Sequence, residues 1–176
     1  MVAEMAMRKY DCAFVDDGHP IGTEICGIPV VGGTADLPKL RKDYALLVVG
    51  IGNNQFRAQV YGKAEALGYS FPNIVAPNAY VSPFAKVGHG CVLMQNVCIQ
   101  NGAVVGNGVL LNAGVEVHCG AEVEDYVLLY TNSTVPERKR GDTPESAATV
   151  RFVIMRLCRK AQIFQTAPLC IKEVRG

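Results

Sequence analysis

The sequence predicts a mainly β fold: a single-stranded left-handed parallel β-helix of hexapeptide repeats, preceded by a small α/β Rossmann-like layer. Three observations carry this. Stepping by six from Val81 reaches Val87, Leu93, Ile99, Val105, Leu111, Val117, Val123, Leu129 and Val135, so every position of the column is aliphatic. Two residues earlier runs a column of small residues or valines, from Ala79 through Cys91 and Val109 to Ser133. Three residues later comes Gly90, Asn96, Gly102, Gly108, Gly114 and Gly120, then Tyr126 and Asn132.

A fixed period of this kind outranks local propensity, because it decides the architecture. Each hexad reads as one short flat strand plus a sharp turn, and three hexads close a triangular coil. The aliphatic residue fills the interior and the small one fits near the corner. Gly or Asn takes the left-handed backbone that other residues resist. Ordinary antiparallel strands alternate with period two and need no six-residue spacing. Residues 74–135 are therefore assigned to the β-helix.

Residues 1–73 read as strands alternating with helices. Cys12-Ala13-Phe14-Val15 is an apolar strand ending in Asp16-Asp17-Gly18, and Gly27 to Gly33 is an extended piece. Thr34 is the expected N-cap of a short helix through Leu40. Ala45 to Val49 is a buried-type strand ending in Gly50-Ile51-Gly52-Asn53-Asn54, and a helix follows over about residues 55–67. In such a layer ligands sit at the carboxyl ends of parallel strands, which singles out Asp16, Asp17, Gly52 and Asn53. Taken alone, an Asp-Asp-Gly turn or a lone Gly-x-Gly is a common loop; their joint placement ahead of the repeat makes them candidates.

Composition bounds the rest. The 176 residues carry 18 glycines and 9 prolines, which implies many turns, and only 19% charged residues with a formal net charge of +1. Nothing there points to nucleic acid or an anionic membrane. The longest apolar run, Tyr44 to Val49, is too short to cross a bilayer, so no membrane partner is expected. Seven cysteines without a C-x-x-C pair, and no leader pattern, fit a reducing cytoplasm. Charge is uneven: residues 136–176 hold nine Lys/Arg against four acids.

With these strings on the page, the chain resembles the bacterial sialic acid O-acetyltransferases and UDP-amino-sugar N-acetyltransferases, the NeuD/PglD-like hexapeptide family. The likeness runs over about residues 2–135. It rests on Phe14-Val15-Asp16-Asp17-Gly18, Gly27-Ile28-Pro29-Val30-Val31-Gly32-Gly33, Ile51-Gly52-Asn53-Asn54-Gln55-Phe56-Arg57, Ile74 to Pro83, and the hexads. The resemblance implies acetyl transfer from acetyl-CoA to an amino or hydroxyl group of a surface-sugar precursor, either sialic acid or a UDP-amino sugar. It also implies a homotrimer with acetyl-CoA between neighbouring helices and the sugar or sugar nucleotide on the α/β layer, where Asp16, Asp17, Gly52 and Asn53 match by position. A helix His oriented by a carboxylate would take the proton, a task for a near-neutral base within hydrogen-bond reach.

Departures from the family pattern shape the expectation. The family opens with a strand and a glycine-rich loop, whereas this sequence begins at Met1 inside the helix that follows, as if that layer were truncated. Cys119 stands where the base belongs, His118 one place earlier, and Gly120 in place of the orienting acid. Neighbouring residues of a strand face opposite ways, so His118 does not simply replace Cys119. Little or no activity is expected of the chain on these grounds, and the competing reading is a non-catalytic trimeric module or an inactive copy. A β-helical carbonic anhydrase needs several histidines around zinc, while only His89 and His118 fall in the repeat; no metal is expected.

After Val135 all three columns end together, leaving residues 136–176 as a basic tail. Read one base out of frame, Pro144 to Phe152 can encode Arg-Ile-Gly-Ser-Asn-Cys-Thr-Ile, which is again a hexapeptide repeat. A frameshift product is thus the expected origin of the tail, with a native helical cap as the alternative.

Overall fold

The computed structural model describes residues 1–137 and the backbone of 168–173, and it divides into two compact units, residues 1–74 with 164–176 and residues 75–163. The frameshift question falls mostly on residues 138–167, outside those described.

The first unit opens with a short helix α1 (Val2–Ala6) that buries Ala3 and Ala6. Strand β1 (Tyr10–Val15) follows, with Ala13, Phe14 and Val15 at 2% exposure or less. Strands β2 (Glu24–Ile25) and β3 (Ile28–Gly32) form a hairpin. Its two turn residues, Cys26 and Gly27, have φ of 53° and 77°, the double left-handed turn that matches strand twist. A single 3-10 turn (Thr34–Asp36) leads into α2 (Leu37–Leu40), then strand β4 (Leu46–Val49) and helix α3 (Asn54–Ala66). The expected cap at Thr34 is replaced. Gly33 N donates to Asp36 Oδ2 at 2.9 Å, because Thr34 is engaged by Asp17 instead.

One strand of this unit comes from the far end of the sequence, where no element was foreseen. Pro168–Glu173 lies antiparallel between β1 and β4 in a sheet whose order is β2, β3, β1, the late strand, β4. Phe14 and Val48 both stand opposite Leu169, so β1 and β4 run parallel and their carboxyl ends leave the sheet at the same level. The proline takes the first strand position, where its missing N–H is tolerated.

The second unit is the left-handed β-helix. Its described residues form two-residue strands spaced by six, β5 (Ile74–Val75), β6 (Tyr80–Val81), β7 (Lys86–Val87), β8 (Val92–Leu93), β9 (Cys98–Ile99), β10 (Val104–Val105), β11 (Leu110–Leu111), β12 (Glu116–Val117), β13 (Glu122–Val123), β14 (Leu128–Leu129) and β15 (Thr134–Val135). They stack as three parallel sheets, β7-β10-β13, β5-β8-β11-β14 and β6-β9-β12-β15, so each rung sits on the one eighteen residues away: Val105 pairs with Val87 and Val123. From Leu93 to Val135 the aliphatic column is at most 4% exposed. Every member of the third column from Gly90 to Asn132 has positive φ, including Tyr126 at 58°. The backbone demand of the corner overrides residue type there.

Candidate functional site

At the carboxyl end of β1 the two aspartates are both occupied. Asp16 Oδ1 accepts from Gly18 N at 2.8 Å, and its Oδ2 lies 2.8 Å from His19 Nδ1. Asp17 grips Thr34 with both oxygens, accepting from the backbone N at 2.7 Å and from Oγ1 at 2.8 Å. Asp17 therefore ties the loop after β1 to the one after β3. A Cβ on Gly33 would come within 2.5 Å of Asp17 Oδ1, so the small residue there permits the closure.

The loop after β4 is built around a buried cation. Asn53 caps α3, its Oδ1 accepting from Phe56 N at 2.9 Å. Arg57, fully buried, donates from Nη1 to Ile51 O and from Nη2 to Asn54 Oδ1 at 2.9 Å. Burial pulls its guanidinium down to about 10. Gly52 is half-buried within the loop so held, and Asn53 is exposed. The sheet thus brings Asp16, Asp17, Gly52 and Asn53 to one edge, on loops two strand spacings apart, about 10 Å. Arg57 was quoted in the sequence string but not given a role; a lone Arg inside a helix facing a Gly-rich loop is the signal that identifies it.

On the β-helix, His118 and Cys119 turn to different partners. Glu116 and His118 flank the inward Val117 and so share the outward face of the sheet containing β12, with His118 Nε2 3.4 Å from Glu116 Oε2. Cys119, exposed, donates from Sγ to Gln100 Oε1 at 3.3 Å. The sequence reading sought the orienting acid at position 120 and missed Glu116. Period-two alternation around a buried residue is the signal that finds it. A carboxylate on one ring nitrogen fixes the tautomer and leaves the other nitrogen with its lone pair.

Residues 1–64 match the model of the PglD N-terminal domain. The chain resembles the PglD-like sugar acetyltransferases. Among solved structures, a histidine mutant of perosamine N-acetyltransferase from Caulobacter crescentus, in complex with CoA and GDP-perosamine, is 28% identical. The match covers 71% of this chain and 76% of that one with a TM-score of 0.51. The acetyltransferase domain of PglB from Neisseria gonorrhoeae, in complex with acetyl coenzyme A, is 26% identical over 70% of this chain and 79% of that one, with a TM-score of 0.52. No curated protein matches. Among the described residues no helix is long and apolar enough to cross a membrane.

Proposed function

We propose that the chain is an acyltransferase moving an acetyl group from acetyl-CoA to an amino or hydroxyl group of a surface-sugar precursor, with His118 as base and Glu116 as its positioning residue. The Glu116–His118 pair on an outward strand face carries this reading. The perosamine enzyme and the PglB domain, by the ligands in their structures, support acetyl-CoA as donor and a nucleotide-linked amino sugar as acceptor. As the acceptor nitrogen or oxygen attacks the thioester carbonyl, His118 removes its proton. The C–S bond then breaks and the departing CoA sulfur takes a proton, giving the acetylated sugar and free CoA. On this reading the reaction runs in the cytoplasm, and a trimer would place acetyl-CoA between neighbouring helices. Asp16 and Asp17 contribute on this reading by holding the loop beside the sugar nucleotide, with Gly52 and Asn53 across the edge.

The second reading, a non-catalytic copy, is favoured by one observation: the thiol at the family's base position, Cys119, lies against the neutral Gln100 and not against a carboxylate or imidazole. Thiol release from acetyl-CoA in the presence of GDP- or UDP-linked amino sugars separates the two. Turnover that falls about 10²- to 10⁴-fold in His118→Ala supports His118 as base. Binding of acetyl-CoA without turnover of any acceptor leaves the non-catalytic module.

A further inference from the structure

The carboxyl edge of the first unit is rich in hydrogen-bond acceptors that the chain itself already uses. The carboxylate oxygens of Asp16 and Asp17 are all engaged, by Gly18, His19 or Thr34. Across the edge the amide oxygens of Asn53 and Asn54 accept from Phe56 N and from Arg57 Nη2, both at 2.9 Å. What these two asparagines keep for a ligand is the Nδ2 donor of each, and donors suit phosphate oxygens, which accept. Guanine and uracil both present N–H groups on their edges, so a site that tells one from the other by hydrogen bonds needs acceptors set against them. Here such acceptors would have to be withdrawn from the turns they hold.

An apolar contact stands beside these groups. Phe56 is 42% exposed in the first turn of α3, whereas Arg57, Val60, Tyr61 and Ala64 make up the buried face of that helix. Side chains of a helix lean toward its N-terminus, so the ring leans toward the 50–54 loop at the end of β4. Among the described residues of this unit the exposed large apolar side chains are Met1, Met7, Ile21 and Phe56, and of these Phe56 alone offers a flat face. Every nucleobase has a π-face, so stacking on such a ring is tolerant of base identity.

We propose that Phe56 stacks against the base of a nucleoside diphosphate held at this edge, and that the edge therefore accepts purine and pyrimidine diphosphates alike. On the reading above, on which this rests, a sugar nucleotide lies there; the chain then recognises its diphosphate and its aromatic plane, without the hydrogen-bond pattern of the base.

The chain contains no tryptophan, so Phe56→Trp introduces a single indole at the contact. Titration of this variant with GDP and with UDP should quench its emission saturably, with dissociation constants within about tenfold of each other, and pyrophosphate alone should not quench it. In Phe56→Ala, calorimetry should show the affinity for both nucleotides reduced by about five- to a hundredfold, with pyrophosphate bound as by the unmodified chain. Constants for GDP and UDP that differ by about a hundredfold or more would mean that the base edge is read, and would overturn the proposal. So would emission left unquenched on binding, or a Phe56→Ala chain whose nucleotide and pyrophosphate affinities fall together. Nucleotide binding that is unaltered in Phe56→Ala overturns the proposal and leaves the reading of the edge in place. If the unmodified chain binds neither nucleotide, that reading fails and the proposal with it.

Discussion

At the residue scale the informative side chains are those whose surroundings oppose their chemistry. Burial pushes the Cys91 thiol up to about 11, and burial with nearby Asp11 does the same for Cys12. Folded chains therefore keep these thiols protonated where unfolded chains ionise them, near pH 9. Stability from this source is intact below pH 9 and declines as pH rises through 11. A urea midpoint measured at pH 8.5 and again at 10.5 should fall, and the fall should shrink in Cys91→Ala; an unchanged difference would show that Cys91 is not its cause. Reactivity should follow the same order: Cys26 and Cys119, both exposed, alkylate in the folded chain, while buried Cys91 waits for unfolding. His118 was singled out from the sequence, but its partner Glu116 was not, because the family template directed attention to position 120. Asp16 and Asp17 were found for their place in the loop. That their oxygens are already taken up by Gly18, His19 and Thr34 is a matter of three-dimensional neighbours.

At the element scale the hexads were readable in full, since each position repeats the same demand. The interior column tolerates no charge. Val105→Asp, at 2% exposure, would bury a carboxylate without a partner at a cost of several kcal/mol, out of a total stability of roughly 5–15 kcal/mol. Circular dichroism should show loss of the β-helix; a folded mutant would mean that the column does not face inward. The corners are a different constraint. A Cβ on Gly106 would stand 2.3 Å from Asp125 Oδ1 and 2.7 Å from Asp125 N, while that same Oδ1 accepts from Asn107 N at 2.7 Å. Gly106→Ala should accordingly cost about 1–3 kcal/mol, as overpacking does, and a differential scan would read it as a lower Tm. Helix α3 was anticipated to within a residue or two at each end, but its buried Arg57 ties the 51–54 loop in a way that spacing does not reveal. Arg57→Met should loosen that loop, and Asn53 and Asn54 amide exchange should rise while the β-helix is unaffected.

At the scale of the whole molecule, the proposed trimer and its donor site make one linked prediction. If acetyl-CoA binds between helices of neighbouring copies, a hundredfold excess over Kd should raise the unfolding free energy by about 2.7 kcal/mol, and the effect should fade on dilution below the assembly's dissociation range. A thermal shift independent of protein concentration would place the donor within one copy. The sequence by itself determined the β-helix, its rung spacing, its left-handed corners and the α/β character of the segment before it. Those features depend on local backbone preference and on a burial pattern repeated every six residues, and both are written along the chain. Tertiary structure alone decided what Asp17 holds and that Pro168–Glu173 enters the sheet between β1 and β4. Each of these joins groups whose meeting depends on strand register or on unpaired backbone edges far away in sequence. Periodicity does not encode such meetings, because the hydrogen bonds that reward them exist only once the chain has folded.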